Sequence, residues 1–557
     1  MRYSAAAAPA VRAVSSLRFP SVLLAADKSL ARSTAAAIGL ALLLLLPGIG
    51  AGYSGRDEAE YAGVAHAMNA TGDYLVPRLF GRLYPDKPPL SEWLTAASFR
   101  VFGESEASGR LPHVLLAAGS VALLLRLGKR LLDRRRGLIA SLLFSTSLLF
   151  IVYGRLLLTD SDLLFFTLAA ILGLLSILEG DPAAPTVLAA GVALGLAILA
   201  KGPVALLAPG FFSAGYLAGR DRPAFRRLVR VALAGAVALV VALPWFLLAS
   251  RATAGESLRS FLLRENLRRF ASPMEGHGGP LVFFPLVLWF GFFPWSGALL
   301  FLFRRDPLVP SPARRGLIFW VAGTLVFFTF SATKLPHYIL PAVPAAALLA
   351  ASAIPSTGQR RVRIAAWATA ATGAALFAAM TFAARMTGEP GAFGLLVPFG
   401  AAAGLSVVGP LLAGAERTCR FFPALAILAS AAIVLGAAPA LDHLRSTDRL
   451  GLAARARRLA GEPLGGLNIR EAALTYYAGS MPTELWRSAD DLSRAAASSP
   501  THSILVWLDS ADTVSLARDR RLRVELLVEG PNLADPRVRD LLALCRVRSR
   551  DAAHAAG

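Results

Sequence analysis

Ile38-Gly39-Leu40-Ala41-Leu42-Leu43-Leu44-Leu45-Leu46-Pro47-Gly48-Ile49-Gly50-Ala51-Gly52-Tyr53-Ser54-Gly55-Arg56-Asp57-Glu58-Ala59-Glu60-Tyr61 passes from unbroken hydrocarbon to a cluster of four charges within 24 residues. An apolar run of this kind is buried either in a protein core or in a bilayer, and the remainder of the chain decides which.

The 557 residues are 55% apolar and 17% charged, with a mean hydropathy of +0.56, far from a soluble globular protein of this length. A bilayer core of roughly 30 Å needs about 20 mostly apolar helical residues per crossing. Hydropathy predicts about thirteen crossings, near 35–50, 111–127, 137–153, 163–178, 186–200, 204–217, 231–250, 280–303, 316–331, 339–353, 364–384, 393–413 and 421–440. The pair from 186 to 217 is short and is interrupted by Lys201-Gly202-Pro203.

Lys and Arg collect in alternate loops: the N-terminal tail, then 126–136, 220–230, 304–315, 360–363 and Arg417 with Arg420, 25 cations in all. Short basic loops stay cytoplasmic, so the N-terminus is expected inside and the less basic loops outside. Glu179-Gly180-Asp181 is an acidic inner exception. The formal charge of +21 does not point to nucleic acid, because residues 441–557 carry 17 Arg and no Lys against 15 acids and are almost neutral. Cys419 and Cys545 fall on opposite sides of the membrane in this topology, which excludes a disulfide between them.

The expected organisation is a basic, disordered tail over 1–34, a transmembrane domain over 35–440 and a C-terminal α/β domain over 441–557 on the outer side. In the last of these, Ser503–Leu508 and Leu522–Val528 read as strands, while 450–459 and 513–522 read as helices. The first outer loop, about 52–109, is long enough to hold helices of its own. Asp57, Tyr61, Val64, Ala65 and Met68 fall at i, i+4, i+7, i+8 and i+11, which predicts an amphipathic helix lying along the interface, and 90–102 predicts a second.

Candidate chemistry gathers on the outer side. Asp57 and Glu58 follow Ser54 at the spacing of a helix cap, and Asp160 in Leu158-Thr159-Asp160-Ser161-Asp162 has the same bland reading. A carboxylate near hydrocarbon costs on the order of 3 kcal/mol unless paired, so the functional reading stands beside it. Lys87, Lys201, Arg264, Arg268, Arg269 and Lys334 lie on four separate outer loops. Each alone could snorkel to the interface, but their recurrence favours a shared anionic ligand, for which a lipid phosphate is the natural candidate.

Several motifs in order carry a resemblance: Arg56-Asp57-Glu58-Ala59, Asp86-Lys87-Pro88-Pro89-Leu90, Leu158-Thr159-Asp160, Lys201-Gly202-Pro203, Arg264-Glu265-Asn266-Leu267-Arg268-Arg269-Phe270, Phe292-Phe293-Pro294-Trp295-Ser296 and Lys334-Leu335-Pro336-His337-Tyr338. Over residues 35–350 the chain resembles the bacterial aminoarabinose (lipid A) transferases of the protein O-mannosyltransferase superfamily, the C-type glycosyltransferases. The resemblance implies an all-α polytopic membrane fold, a polyprenyl-phosphate sugar donor and a site on the periplasmic face of the inner membrane. It implies Asp57 as catalytic acid/base, with Glu58 beside it, and Asp160 as a second active-site acid. Lys87, Arg269 and Tyr338, with Lys201 and Lys334, are the implied contacts of the donor phosphate. Asp86, Arg264 and Asn266 depart from the family pattern, which has Glu and flanking histidines there, so a divalent metal is left open with Asp86 and Glu265 as its candidate ligands. The acceptor, whether lipid A, glycan or protein, is not legible. A transporter or flippase of lipid-linked sugars is the alternative; it would place charges near the bilayer midplane, often in repeated halves.

Overall fold

The computed structural model describes residues 30–53, 56–180, 183–218, 225–274, 277–304, 309–353, 359–387, a few positions between 427 and 434, and most of 447–549. Seven helical stretches among them are long and apolar enough to cross a membrane: Glu106–Leu131, Thr159–Glu179, Ala184–Leu217, Phe225–Ala252, Ser311–Phe330, Pro336–Ala353 and Arg360–Phe382. The Phe225–Ala252 helix shows what surrounds them. It buries Ala234, Ala238, Ala242, Trp245 and Ala249, a single stripe, and exposes Leu233, Leu239, Val240, Leu243, Leu247 and Leu248. A stripe of alanine against the bundle with leucine and valine turned outward is the pattern of a helix solvated by lipid.

Expected crossings differ from the structure where polar or glycine residues interrupt them. The Ala184–Lys201 helix ends at Gly202, whose φ of +74° suits glycine, and Leu207–Leu217 follows after a short 3-10 turn. Gly215 lies against Phe319 and Gly323 against Phe211, so Leu207–Leu217 runs antiparallel to Ser311–Phe330. The expected crossing 137–153 is two helices, Arg134–Ser145 and Leu148–Tyr153. Between them Thr146 accepts a hydrogen bond from Trp295 Nε1 at 2.7 Å. Expected crossing 393–413 and the loop with Arg417, Cys419 and Arg420 lie outside the described residues, as does most of 421–440. Residues 30–34, expected in the disordered tail, are the start of the Leu30–Leu45 helix. The rest of that tail and residues 550–557 lie outside the described residues.

Helix ends follow local rules. Ser105 and Ser108 form a reciprocal capping box at the start of Glu106–Leu131, and the Asp133 side chain caps Arg134–Ser145. At the turn between them a Cβ on Gly128 would come within 2.6 Å of the Gly137 backbone, a close approach that only glycine permits.

Two helices of the segment 52–109, Arg56–Thr71 and Leu90–Phe102, roof the bundle. The first does not lie along the interface on one apolar face, as expected from its periodicity. Glu58 through Ala65 and Met68 are all buried, because the short helix Ala472–Tyr477 packs on its other side.

The C-terminal segment holds a five-stranded sheet in the order Glu484–Trp486, Leu464–Leu467, Ser503–Asp509, Leu541–Ser549, Leu522–Pro531. The first three strands are parallel and the last two pairings antiparallel. In the central strand Ile504, Val506 and Leu508 pack with Leu492, Ala496 and Leu516, while Leu505 and Trp507 pack with Leu450, Ala454 and Leu474. Burial on both faces explains why Ser503–Leu508 reads as a continuous apolar run instead of an alternation. Cys545 is buried in that sheet.

Candidate active site

A cavity of about 720 Å³ lies between the roof and the helix ends beneath it. Helix termini deliver its polar groups. Asp57 is in the first turn of Arg56–Thr71, Asp160 in the first turn of Thr159–Glu179, and Lys201 is the last residue of its helix. Lys87 sits on the Pro-rich connection just before Leu90–Phe102. Arg269 follows the π-helical segment Ser260–Arg268, and His337 and Tyr338 lie on the 3-10 turn Pro336–Ala342. All of these line the cavity, together with Arg56, Glu60, Tyr61, Tyr84 and Asp86.

Pairing divides the charges into committed and uncommitted. Lys201 Nζ donates to Asp160 Oδ1 at 2.6 Å and lies 5.6 Å from the centre of the Tyr338 ring. His337 Nε2 is 4.0 Å from Asp160 Oδ2. Arg269 donates to Glu265 Oε2 at 2.9 Å, and Arg56 Nε to Glu60 Oε1 at 2.5 Å. Burial raises the carboxyl of Glu60 above its ordinary range in spite of Arg56, and burial followed by the Glu265 charge raises that of Asp86. Asp57 has no hydrogen bond or ion pair among the described residues, and Lys87 only a bond to the Asp86 carbonyl at 3.2 Å. Both face the cavity, where a ligand would complete their coordination.

The opposite wall is hydrocarbon: Val204, Leu207, Leu262, Leu263, Leu267, Phe270, Phe327 and Phe328. Leu262, Leu263 and Leu267 remain 40%, 50% and 64% exposed, so this apolar wall is incompletely covered by protein.

Two expected site residues point elsewhere. Glu58 is 1% exposed and absent from the cavity wall. Its carboxylate accepts from Arg110 Nε at 2.7 Å, from Arg110 Nη2 at 2.8 Å and from the Leu157 amide at 2.8 Å. It fastens the roof helix to the bundle. Lys334 is also buried and off the wall; its ammonium donates to the carbonyls of Thr329 and Ser331 at 2.7 and 2.9 Å, satisfying the C-terminal end of Ser311–Phe330. Sequence reasoning assigned no role to Arg110, His113 or His337. A signal existed, since Arg110 and His113 are ionisable residues that directly precede the apolar stretch of a spanning helix.

Below the roof, Asp162 accepts from Ser91 Oγ at 2.5 Å and pairs with His113 Nδ1 at 2.8 Å, while His113 Nε2 meets Thr95 Oγ1 at 3.0 Å. Glu92, fully buried beside this network, finds no partner for either oxygen on another of the described residues, and burial pushes its carboxyl up to about 8. Of the candidate metal ligands, Asp86 is on the cavity wall, but Glu265 is engaged by Arg269 and lies 3.4 Å from Arg264. No group of three or more His, Cys, Asp or Glu among the described residues is placed to hold a metal ion.

A family model described as dolichyl-phosphate-mannose-protein mannosyltransferase matches residues 86–247. An undecaprenyl phosphate-alpha-4-amino-4-deoxy-L-arabinose arabinosyl transferase of Pseudomonas paraeruginosa is 32% identical over 323 residues, covering 57% of this chain and 58% of that one. The corresponding protein of Pectobacterium carotovorum is 31% identical over 359 residues, 62% of this chain and 64% of its own. The chain thus spans somewhat under two thirds of the curated relatives it matches. The crystal structure of ArnT from Cupriavidus metallidurans bound to undecaprenyl phosphate superposes with a TM-score of 0.75 at 22% identity, covering 92% of this chain and 97% of that one. The archaeal oligosaccharyltransferase AglB from Archaeoglobus fulgidus, in complex with an inhibitory peptide and a dolichol-phosphate, superposes at 0.53 with 15% identity, covering 87% of this chain and 69% of that one.

The fold is therefore that of the multi-span ArnT structure, and residues 86–247 are similar in sequence to the dolichyl-phosphate-mannose-protein mannosyltransferases. The chain is aminoarabinose-transferase-like, in fold over nearly its whole length and in sequence over more than half of it.

Proposed function

We propose that this chain is an integral-membrane glycosyltransferase that moves a sugar from a polyprenyl phosphate to an acceptor on the periplasmic face of the inner membrane, with aminoarabinose transfer to lipid A as the specific reaction. The observation that carries this reading is the pair of uncommitted charges, Asp57 and Lys87, facing a cavity whose other wall is partly exposed hydrocarbon. A glycosylated polyprenyl phosphate has the matching parts: an apolar tail, an anionic phosphate and a sugar to lie between acid and cation. Relatives with this name and an undecaprenyl-phosphate-bound structure of the same fold support it.

In the proposed reaction an acceptor oxygen bonds to the anomeric carbon while the bond from that carbon to the donor phosphate breaks. The phosphate leaves with the electron pair and is held by Lys87, Arg269 and the Tyr338 hydroxyl. A hydroxyl acceptor passes its proton to Asp57; for an already ionised phosphate acceptor the Asp57 charge stabilises the cationic sugar centre. Asp160 fixes Lys201 at the edge of the site.

The proposed organisation is a cytoplasmic tail over 1–34, the transferase domain over 35–440 and a periplasmic C-terminal α/β domain over 441–557, with some thirteen crossings. Transport of lipid-linked sugars fits less well, because the cavity charges stand at helix ends and not at the bilayer midplane. Mass spectrometry of lipid A, glycans and exported proteins from cells with and without this chain tests the proposal. Loss of one glycosyl unit from lipid A is expected, loss from another acceptor corrects the acceptor, and no change in any of the three overturns the reading.

A further inference from the structure

The far end of the bundle holds a second recess. Between the helices Glu106–Leu131, Thr159–Glu179 and Ala184–Lys201 lies a groove of about 610 Å³, at the helix ends opposite to those that carry Asp160 and Lys201. Its floor is apolar, formed by Leu123, Ala169, Leu172 and Ala189. The helices meet beneath it at Gly173, where a Cβ would come within 2.6 Å of Ala190 Cβ. Its rim carries Arg126, Lys129 and Arg130. Arg130 is committed, with an ion pair to Glu179 at 2.6 Å and a hydrogen bond to Ser176. Arg126 and Lys129 are exposed and have no hydrogen bond or ion pair among the described residues.

We propose that this groove binds an anionic phospholipid, with the phosphate against Arg126 and Lys129 and one acyl chain along the apolar floor. An occupant must offer negative charge at one end and hydrocarbon at the other, since the rim and floor present their complements within a single recess on spanning helices. A soluble anion would use only the rim. A zwitterionic lipid would bring its own cation to a site with two cations already. The chain's own N-terminal tail is a poor occupant, because residues 1–29 carry four Arg or Lys and one acid. The leaflet rests on the proposed topology, in which the basic loop 126–136 is cytoplasmic; the binding itself does not.

The test is native mass spectrometry of the full-length chain in mild detergent, titrated with phosphatidylglycerol or phosphatidylcholine, with inorganic phosphate as competitor. One phosphatidylglycerol is expected to bind in preference to phosphatidylcholine and to resist inorganic phosphate. The Arg126→Gln/Lys129→Gln double variant should bind it roughly thirtyfold more weakly, about fivefold for each charge. Ala189→Phe, which fills the floor and keeps both cations, should also lose it. Unchanged binding in the double variant overturns the proposal. Displacement by inorganic phosphate alone, or full retention in Ala189→Phe, also overturns it, because either would reduce the groove to a patch of surface charge. Transfer activity is not the readout, so these outcomes are independent of the reaction proposed above.

Discussion

Lys201 Nζ lies 2.6 Å from Asp160 Oδ1, with both side chains almost enclosed, at 12% and 3% exposure. Each charge was read from the sequence as a separate contact for substrate, yet in the structure each is the other's counter-ion. Removing one partner of such a pair leaves a buried charge uncompensated, which costs about 3–5 kcal/mol, whereas replacing both with apolar groups of similar volume costs far less. Lys201→Met and Asp160→Leu should each lower the midpoint of thermal unfolding sharply, and the double variant should recover most of the loss while remaining inactive. Single variants that unfold as the wild type does would show that water, not the partner, stabilises each charge.

Asp57 stands apart from this pairing. With no partner among the described residues, Asp57→Asn removes a charge without orphaning another group. Transfer should fall by about 10²- to 10⁴-fold with donor affinity and unfolding midpoint unchanged. Turnover near the wild-type rate would leave Asp57 as a first-turn acid that only favours its helix.

For the donor phosphate, the lysines that looked alike in sequence should behave differently. Lys87→Ala and Arg269→Ala should each weaken binding of a polyprenyl-phosphate analogue in nanodiscs by roughly 1.5–3 kcal/mol, about tenfold to a hundredfold. Arg269→Lys should not fully restore it, because an ammonium cannot hold Glu265 and two phosphate oxygens in one plane. Lys334→Ala should leave donor affinity alone and lower stability, since its ammonium satisfies two carbonyls. A loss of donor affinity in Lys334→Ala equal to that in Lys87→Ala would return Lys334 to the site.

These contrasts mark how far the sequence reaches. Asp57, Lys87, Asp160, Lys201 and Arg269 were legible because charge beside a long apolar run is rare, Tyr338 only through the family resemblance, and the structure brings all six to one cavity. Glu58 and Lys334 obey the same local rule, but their directions are set by Arg110, 52 residues away, and by the carbonyls at a helix end. Helical periodicity placed the Arg56–Thr71 helix but not its surroundings, since Ala472–Tyr477, which covers its outer side, comes from some 400 residues later. The strands Leu464–Leu467, with two glycines, and Leu541–Ser549, where Arg546 and Arg548 interrupt the run, lack the usual composition of a strand, and only the sheet around them makes them one.

Stability should depend on pH through Glu92. Burial raises its carboxyl from 4.5 to about 8 in the folded protein, with Asp162 and Asp86 adding to the rise and Lys87 opposing it. The folded value is the higher, so the folded state holds the proton more tightly. Below about 4.5 both states are protonated and nothing is lost; between there and about 8 only the unfolded chain ionises, and stability falls, by on the order of 5 kcal/mol once the fall is complete. Glu92→Gln should therefore raise the unfolding midpoint at about pH 8.5 and change it little at about pH 5. Parallel pH profiles for wild type and variant would mean that Glu92 is solvated.

The C-terminal segment should lie on the same side of the membrane as the cavity. The Tyr53 amide donates to the Tyr477 hydroxyl at 2.8 Å, that hydroxyl donates to Glu106 at 2.9 Å, and Tyr476 donates to Glu104 at 2.9 Å. Tyr53 precedes the helix that carries Asp57, so these bonds tie the sheet-bearing segment to the roof. Alkaline phosphatase fused after Gly557 should be active and a fluorescent protein there dark, if the cavity is periplasmic. Tyr477→Phe removes both bonds of one hydroxyl and keeps the ring, and should cost about 1–3 kcal/mol of stability. Fluorescence without phosphatase activity would carry the cavity to the cytoplasmic side along with the sheet, because a segment hydrogen-bonded to Tyr53 cannot be separated from it by a bilayer.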